Sequence, residues 1–357
     1  MQKLKVVFVI IGALIGAGFA SGQEIYTFFF SFGLKGLLGI IVSSSVIGIA
    51  IYKILKITIK NNINNYKQFL DHFIERERIK EIINTIINIF ILLSFYIMIA
   101  GFGAYLQQEF GINSIIGSAI LSIICYLLLK RNTEGIVRVN QILIPILIVI
   151  VGLIGIINFK NIDIKNISYY ITEQNTNNWL ITSILYASYN MVLLAPVLIT
   201  MKEYIKKPKD VKYISLIATI IITILIITVY LFLVNIDIDI NKLEMPAVYA
   251  INKIFPAIKG IYGGIILISI FTTAISLGIS FIKNTSNNQK QFNKIALLIC
   301  ATSVVFSQIG FANLINFLYP ILGGLGLIQI VLLIFKKRLR IKLQGINFSI
   351  VLNRNKR

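Results

Sequence analysis

Four glycines fall within the eleven residues Gly12-Ala13-Leu14-Ile15-Gly16-Ala17-Gly18-Phe19-Ala20-Ser21-Gly22, and Gln23 and Glu24 follow directly. A glycine in a helix interior is about 1 kcal/mol less favourable than alanine, so the cluster predicts an unwound stretch between two half-helices. The stretch lies inside a long apolar run, where no water replaces lost backbone hydrogen bonds. The amides that open the outer half-helix then suit a solute carboxylate, and the carbonyls that end the inner half-helix suit a small cation. Close helix packing through the small-xxx-small pairs Gly12/Gly16 and Gly18/Gly22 is the competing reading. Glu24 either carries a coupling proton or binds a solute amine, or it is an outer-vestibule carboxylate stabilised by the half-helix amides.

Two further stretches carry polar groups within apolar runs. Tyr186-Ala187-Ser188-Tyr189-Asn190-Met191 precedes Ala195-Pro196. A proline removes a backbone donor and frees a carbonyl one turn earlier, which predicts a break around Ser188 to Met191 and places Tyr189 and Asn190 against a solute. A continuous, proline-kinked helix is the alternative. Ser269, Thr272, Thr273 and Ser276 recur at helical spacing, and such hydroxyls hold alkali cations when carbonyls complete the shell. In membrane helices they also bond back to their own preceding carbonyls. Glu109 reads as an interfacial carboxylate. With one histidine, His72, and two cysteines, Cys125 and Cys300, no transition-metal or redox centre is expected. No phosphate-binding G-x-x-x-x-G-K-[ST] run and no cluster of acid, base and nucleophile occurs, so neither an enzyme nor a cofactor is expected.

The elements that must position these groups are membrane helices. The chain has 357 residues, 57% hydrophobic and 13% charged, with a mean hydropathy of +0.85. That is more apolar surface than one soluble core hides. Runs long enough to cross a bilayer fall at 4–31, 34–55, 82–106, 112–129, 135–157, 179–199, 213–234, 257–282, 295–311 and 314–335. The first is too long for a signal-peptide core and lacks an A-x-A cleavage site, so it reads as a retained span. The net charge of +20 is sorted by side. With the amino terminus inside, 28 of the 34 basic residues face inward, and only Lys35, Lys160, Lys165, Lys242, Lys253 and Lys259 face outward. This predicts two cytoplasmic termini and argues against nucleic acid as the partner. Between spans two and three, Tyr66, Phe69, Leu70, Phe73 and Ile74 predict an amphipathic helix that packs on the protein or lies on the membrane. The outer connection 235–256 contains a short apolar helix after Pro246, either a lid or a surface cap. The basic segment 336–357 reads as a cytoplasmic tail that fixes orientation, with lipid-headgroup binding as the alternative.

Residues 1–158 and 178–335 each hold five spans, and an odd number forces the halves into opposite orientations, the geometry of an inverted repeat within one transmembrane domain, 1–335. The stretch Gly12 to Glu24, followed by Phe28-Phe29 and Phe32-Gly33, resembles the opening signature of the YkvI-type bacterial membrane proteins. Tyr186 to Met191 resembles their sixth-span signature. That family is similar to the amino acid, polyamine and cation (APC) transporter superfamily. The resemblance implies an all-α integral membrane protein of the LeuT type: ten transmembrane helices in two inverted five-helix repeats, with spans one and six discontinuous. It implies that Gly12 and Ile15 give carbonyls, and Thr272 and Thr273 hydroxyls, to a sodium site, and that the amides around Ala17 and Gly18 face a substrate carboxylate. Where sodium-coupled amino acid members often carry an Asn, this chain has Phe19, which argues against a second sodium site at the substrate. The candidate substrate residues are Gly16, Ala17, Gly18, Phe19, Ser21 and Glu24, with Ser188, Tyr189 and Asn190. The expected function is ion-coupled secondary transport, driven by Na+ or H+, of a small amino-acid-like or amine-bearing solute across a bacterial plasma membrane. The expected partners are that solute and the lipid bilayer, and oligomeric state is left open. A non-transporting, ligand-sensing receptor subunit similar to spore-germination membrane proteins is the alternative.

Overall fold

The computed structural model describes residues 2–64, 66–74, 77–129, 145–146, 148–155, 157, 178–205, 207–286 and 288–344, and its regular elements are all helices. The first apolar run forms three short pieces: α1 (Gln2–Leu14), α2 (Ala17–Ala20) and α3 (Gln23–Phe28). After α4 (Leu34–Lys60) come the loop helix α5 (Tyr66–Phe73), α6 (Glu77–Phe110) and α7 (Ser114–Leu129). The second half supplies α8 (Trp179–Thr200), α9 (Asp210–Leu233), the short α10 (Pro246–Ile254), α11 (Lys259–Thr285), α12 (Gln289–Phe306) and α13 (Phe311–Gln344). Among the described residues, seven helices are long and apolar enough to cross a membrane: α4, α6, α8, α9, α11, α12 and α13. The apolar α7, at 16 residues, spans only about 24 Å. Most of the fifth apolar run, 135–157, lies outside the described residues, as do Lys130, Arg131, Arg138, Lys160, Lys165 and tail residues 345–357.

Large aliphatic and aromatic side chains point outward all round the bundle, among them Ile41 on α4, Ile123 and Leu127 on α7, Leu298 on α12 and Phe317 on α13. A water-facing surface rarely carries so continuous an apolar skin, whereas lipid tails meet it without cost. The interior is equally apolar, and its centre is α8, which packs on α4 and α13. From Tyr186 to Val192 every residue of α8 is buried. Glycines let the neighbours approach it backbone to backbone. A Cβ on Gly323 would lie 2.6 Å from the Leu185 carbonyl oxygen, and one on Gly326 would lie 2.7 Å from the Ser188 carbonyl carbon.

This packing corrects one expectation. The sixth predicted span is not discontinuous: α8 runs unbroken through Ser188, Tyr189, Asn190 and Pro196. The Ser188 hydroxyl donates to the Ile184 carbonyl (2.7 Å), and the Asn190 amide donates to the Tyr186 carbonyl (2.9 Å). The polar side chains therefore reinforce their own helix instead of replacing its ladder. Pro196 removes only the donor that would serve Val192, a residue at a cavity wall.

The loop helix α5 faces protein. Phe69, Leu70 and the following Ile74 are buried, and the cleft beneath is lined by α6 (Ile83, Ile87, Phe90) and α13 (Leu325, Ile328, Leu333). Its polar residues Asp71 and His72 lie on the exposed side.

Candidate functional site

The first apolar run breaks twice. Ile15 still donates to the Ile11 carbonyl (2.9 Å), but Gly16 turns back to Leu14 (3.2 Å), and the next bond forward is Ala20 to Gly16 (3.0 Å). Among the described residues, no backbone hydrogen bond closes on the amides of Ala17 and Gly18 or on the carbonyls of Ala13 and Ile15. The second break, at Ser21 and Gly22, uses the one conformation in the run that favours glycine: Gly22 has φ +81°. The Ser21 hydroxyl donates to the Gly18 carbonyl (3.0 Å) and stitches this corner.

Glu24 stands in the first turn of α3, 3% exposed. Its side chain folds back over Gly18 so closely that a Cβ at residue 18 would lie 2.8 Å from Glu24 Cγ and 2.9 Å from Cδ. The carboxylate accepts a hydrogen bond from the Tyr189 hydroxyl of α8 and another from the Phe19 amide. Tyr189 is held by rings on both sides, Phe28 at 5.6 Å and Tyr319 of α13 at 4.8 Å between centroids, with Tyr186 edge-on at 5.4 Å.

Below this aromatic cluster lies a cavity of about 930 Å³. Glu24, Tyr189, Asn190 and Tyr319 line its inner end, and Leu4, Lys5, Phe8 and Val9 of α1 line it towards the N terminus. Its other walls are α6, the Pro196 half of α8, and the Thr273, Ser276 and Ser280 side of α11. The cavity therefore extends to the end of the bundle where α1 begins and where α8 and α11 finish. Among the described lining residues, Glu24 and Lys5 are the acidic and basic ones.

The opposite end is closed by α10. Pro246, Ala247, Val248, Ala250 and Ile251 are buried, and the Ala247 amide donates to the Ser21 carbonyl (2.8 Å) at the second break. The Tyr262 hydroxyl of α11 donates to the Ala20 carbonyl (2.6 Å). Gln108 bonds both backbone groups of Met245 (2.9 and 3.1 Å), and the Glu244 carboxylate accepts from the Ala312 amide (2.6 Å). Glu109, at the outer end of α6, keeps its side chain 4% exposed beneath this cap, taking two bonds from Asn252 (2.8 Å each) and one ion pair from Lys259 (3.1 Å). Farther out, Asp237 pairs with Lys253 (2.9 Å) and accepts from Tyr249 (3.0 Å), and these two partners hold its carboxyl below the usual range.

The structure thus brings Gly12, Ile15, Gly16, Glu24, Tyr189, Asn190 and Thr273 to one cavity. Ala17, Gly18, Phe19, Ser21, Ser188 and Thr272 are buried behind its wall. Thr272 bonds its own helix, donating to Ile268 (2.9 Å) and Ser269 (3.2 Å), while Thr273 lines the cavity that Gly12, Ala13 and Ile15 also line. Among the described residues there is no cluster of metal-binding His, Cys, Asp and Glu side chains. Sequence reasoning missed Tyr319 and the cap contacts. The one local cue was a phenol directly before Pro320 in an apolar run.

No protein-family model matches the chain. It is 28% identical over 334 residues to the uncharacterized membrane protein YkvI of Bacillus subtilis, covering 93% of this chain and 95% of YkvI. It is 27% identical over 335 residues to the uncharacterized protein YyaD of the same organism, covering 93% and 96%. In three dimensions it resembles a Na+-coupled sialic acid symporter in a substrate-bound outward-open state (TM-score 0.55, 13% identity, 94% of this chain and 79% of the symporter). It also resembles MhsT in complex with L-phenylalanine (TM-score 0.55, 15% identity, 95% and 97%). Among its described residues the chain is therefore all-helical, with seven helices long and apolar enough to cross a membrane, in the fold of these solved proteins.

Proposed function

We propose that this protein is an ion-coupled secondary transporter that moves a small amino-acid-like or amine-bearing solute by alternating access, as a member of the YkvI family. The observation that carries the reading is the pairing of a large one-sided cavity with a twice-broken first span. A helix serving only as a lipid-facing wall gains nothing from unpaired amides and carbonyls at mid-depth. A solute and a companion ion do gain from them. The cavity ends at Glu24, Tyr189 and Asn190, the solute groups. Gly12 and Ile15 supply carbonyls and Thr273, with Thr272 behind it, supplies hydroxyls for Na+; a proton is the other coupling ion consistent with Glu24. Ten spans in two inverted repeats, 1–158 and 178–335, and cytoplasmic termini at the plasma membrane complete the reading. The captured state is then inward-facing, with α10 as the outer closure.

The test is flux. Purified protein in liposomes should accumulate a labelled amino acid or amine above equilibrium under an imposed Na+ or H+ gradient, and lose it when the gradient is collapsed. Saturable binding without accumulation under either gradient rejects transport and favours a sensor.

A further inference from the structure

Glu24 occupies the place that a solute carboxylate would need. The amides around Gly18 belong to the broken first span, and the side chain of Glu24 covers them, with Cγ and Cδ 2.8 and 2.9 Å from where a Cβ on Gly18 would stand. The Phe19 amide and the Tyr189 hydroxyl both bond its carboxylate. A second carboxylate brought to the same place would have to displace Glu24 from the space over Gly18 and from the Phe19 amide and Tyr189 hydroxyl that it already engages. The site already contains a carboxyl group of its own.

What it lacks is a cation. No Lys, Arg or His among the described residues forms an ion pair with Glu24. The other charged lining residue, Lys5, sits at the exposed end of the cavity with its ammonium 5.4 Å from the centre of the Tyr204 ring. At the Glu24 end stand the rings of Tyr189 and Tyr319 with Asn190, and Phe90 and Val192 line the same cavity. A desolvated carboxylate next to electron-rich rings is the chemistry that holds an organic ammonium with an apolar body.

We infer that the solute is a small organic amine without a carboxylate of its own, and that Glu24 supplies the carboxylate an amino acid would bring. The inference rests on the transporter reading for its biological meaning, but its test is a binding measurement that does not require flux. The full-length protein in nanodiscs is titrated with matched pairs that differ by one carboxylate: phenethylamine and phenylalanine, isoamylamine and leucine, tryptamine and tryptophan. The amine of at least one pair should bind roughly tenfold or more tightly than its amino acid. Glu24→Gln should weaken that amine roughly tenfold while leaving the amino acid unchanged or improved. Amino acids binding as tightly as their amines in the unaltered protein overturn the inference, as does binding by no amine in the panel. Neither result depends on the variant folding. Amine binding that survives Glu24→Gln, with only H+-driven uptake lost, assigns the carboxylate to the proton and also overturns it. Amine binding without flux would sink the transporter reading and leave this one standing; amino acid flux would do the reverse.

Discussion

The first apolar run and α8 meet at the same cavity, and both carry small and polar residues at mid-depth. Only one of them is broken. α8 contains a proline and still runs as one helix, whereas the first run, with no proline, opens at Ile15–Gly16 and again at Ser21–Gly22. The difference lies in what surrounds each. α8 is pressed between α4 and α13, where glycines bring foreign backbone against it, and Ser188 and Asn190 bond its own carbonyls. The first run has open cavity on one side and α10 with α11 on the other, so its freed groups find partners from elsewhere, Tyr262 for Ala20 and Ala247 for Ser21, while its own Glu24 takes the Phe19 amide. A glycine or proline makes a break cheap. Outside partners decide whether it persists.

The largest expected effect breaks the corner that distinguishes the first run. In Gly22→Ala the new Cβ must adopt a left-handed backbone, at about 1–2 kcal/mol. It also stands 2.8 Å from Ala247 Cβ and 2.9 Å from the Ala247 amide. α10 must shift and give up its bond to Ser21, worth about 1 kcal/mol more. Thermal unfolding should fall accordingly, and a cysteine placed at Ser21 should become reactive to an impermeant maleimide from the α10 side. Unchanged stability together with an unreactive cysteine would show that α10 does not depend on this corner.

How far the sequence foretold this contrast follows from where the determinants lie. Nine of the ten apolar runs reappear as helices within a few residues at most ends, because length and hydropathy are local properties. The glycine cluster signalled an interruption for the same reason, although as one stretch where there are two. The fate of α8 was not legible: Pro196 is visible in the sequence, but Gly323 and Gly326 act on it from more than a hundred residues away. The cap over the first run, Gln108 with Met245 and Gln23 with Asn316, is equally remote in sequence. Thr272 and Thr273 are adjacent, and only the rotation of α11 about its axis shows which of them reaches the cavity.

That rotation gives the next prediction, which sharpens the contrast at the first break. If the carbonyls freed around Ile15 hold Na+ with help from α11, Na+ should raise the unfolding temperature of the unaltered protein, by about 1.4 kcal/mol of stabilisation at ten times the dissociation constant. Thr273→Val, at the cavity wall, should remove this response. An undiminished Na+ shift in that variant would reject the assigned ligand.

Changes in α8 should be weaker. Ser188→Ala removes a hydroxyl that bonds only its own helix, and the Ile184 carbonyl keeps its backbone donor, so a loss below about 1 kcal/mol is expected. Pro196→Ala restores a donor for the Val192 carbonyl and should leave thermal stability equal or higher. Transport should persist if α8 works as one helix throughout the cycle. A stable Pro196→Ala protein that binds solute but cannot move it would show that α8 opens in another state, and the contrast with the first run would then hold for this conformation alone.

The smallest effect belongs to the outer rim of the cap. Asp237, between Lys253 and Tyr249, has its carboxyl held below the usual carboxylate range by those partners. A carboxylate with a depressed folded-state value stabilises the protein above its unfolded value, near 3.8, and loses that contribution as pH falls through the lower folded one. Asp237→Asn should therefore lower the unfolding temperature slightly at pH 7, and the gap from the unaltered protein should close in strong acid. Because the pair is exposed and screened, the gap at pH 7 should also shrink with added salt. A gap that is large and insensitive to salt would mean that Asp237 anchors α10 over the first break as firmly as the buried Glu109 does.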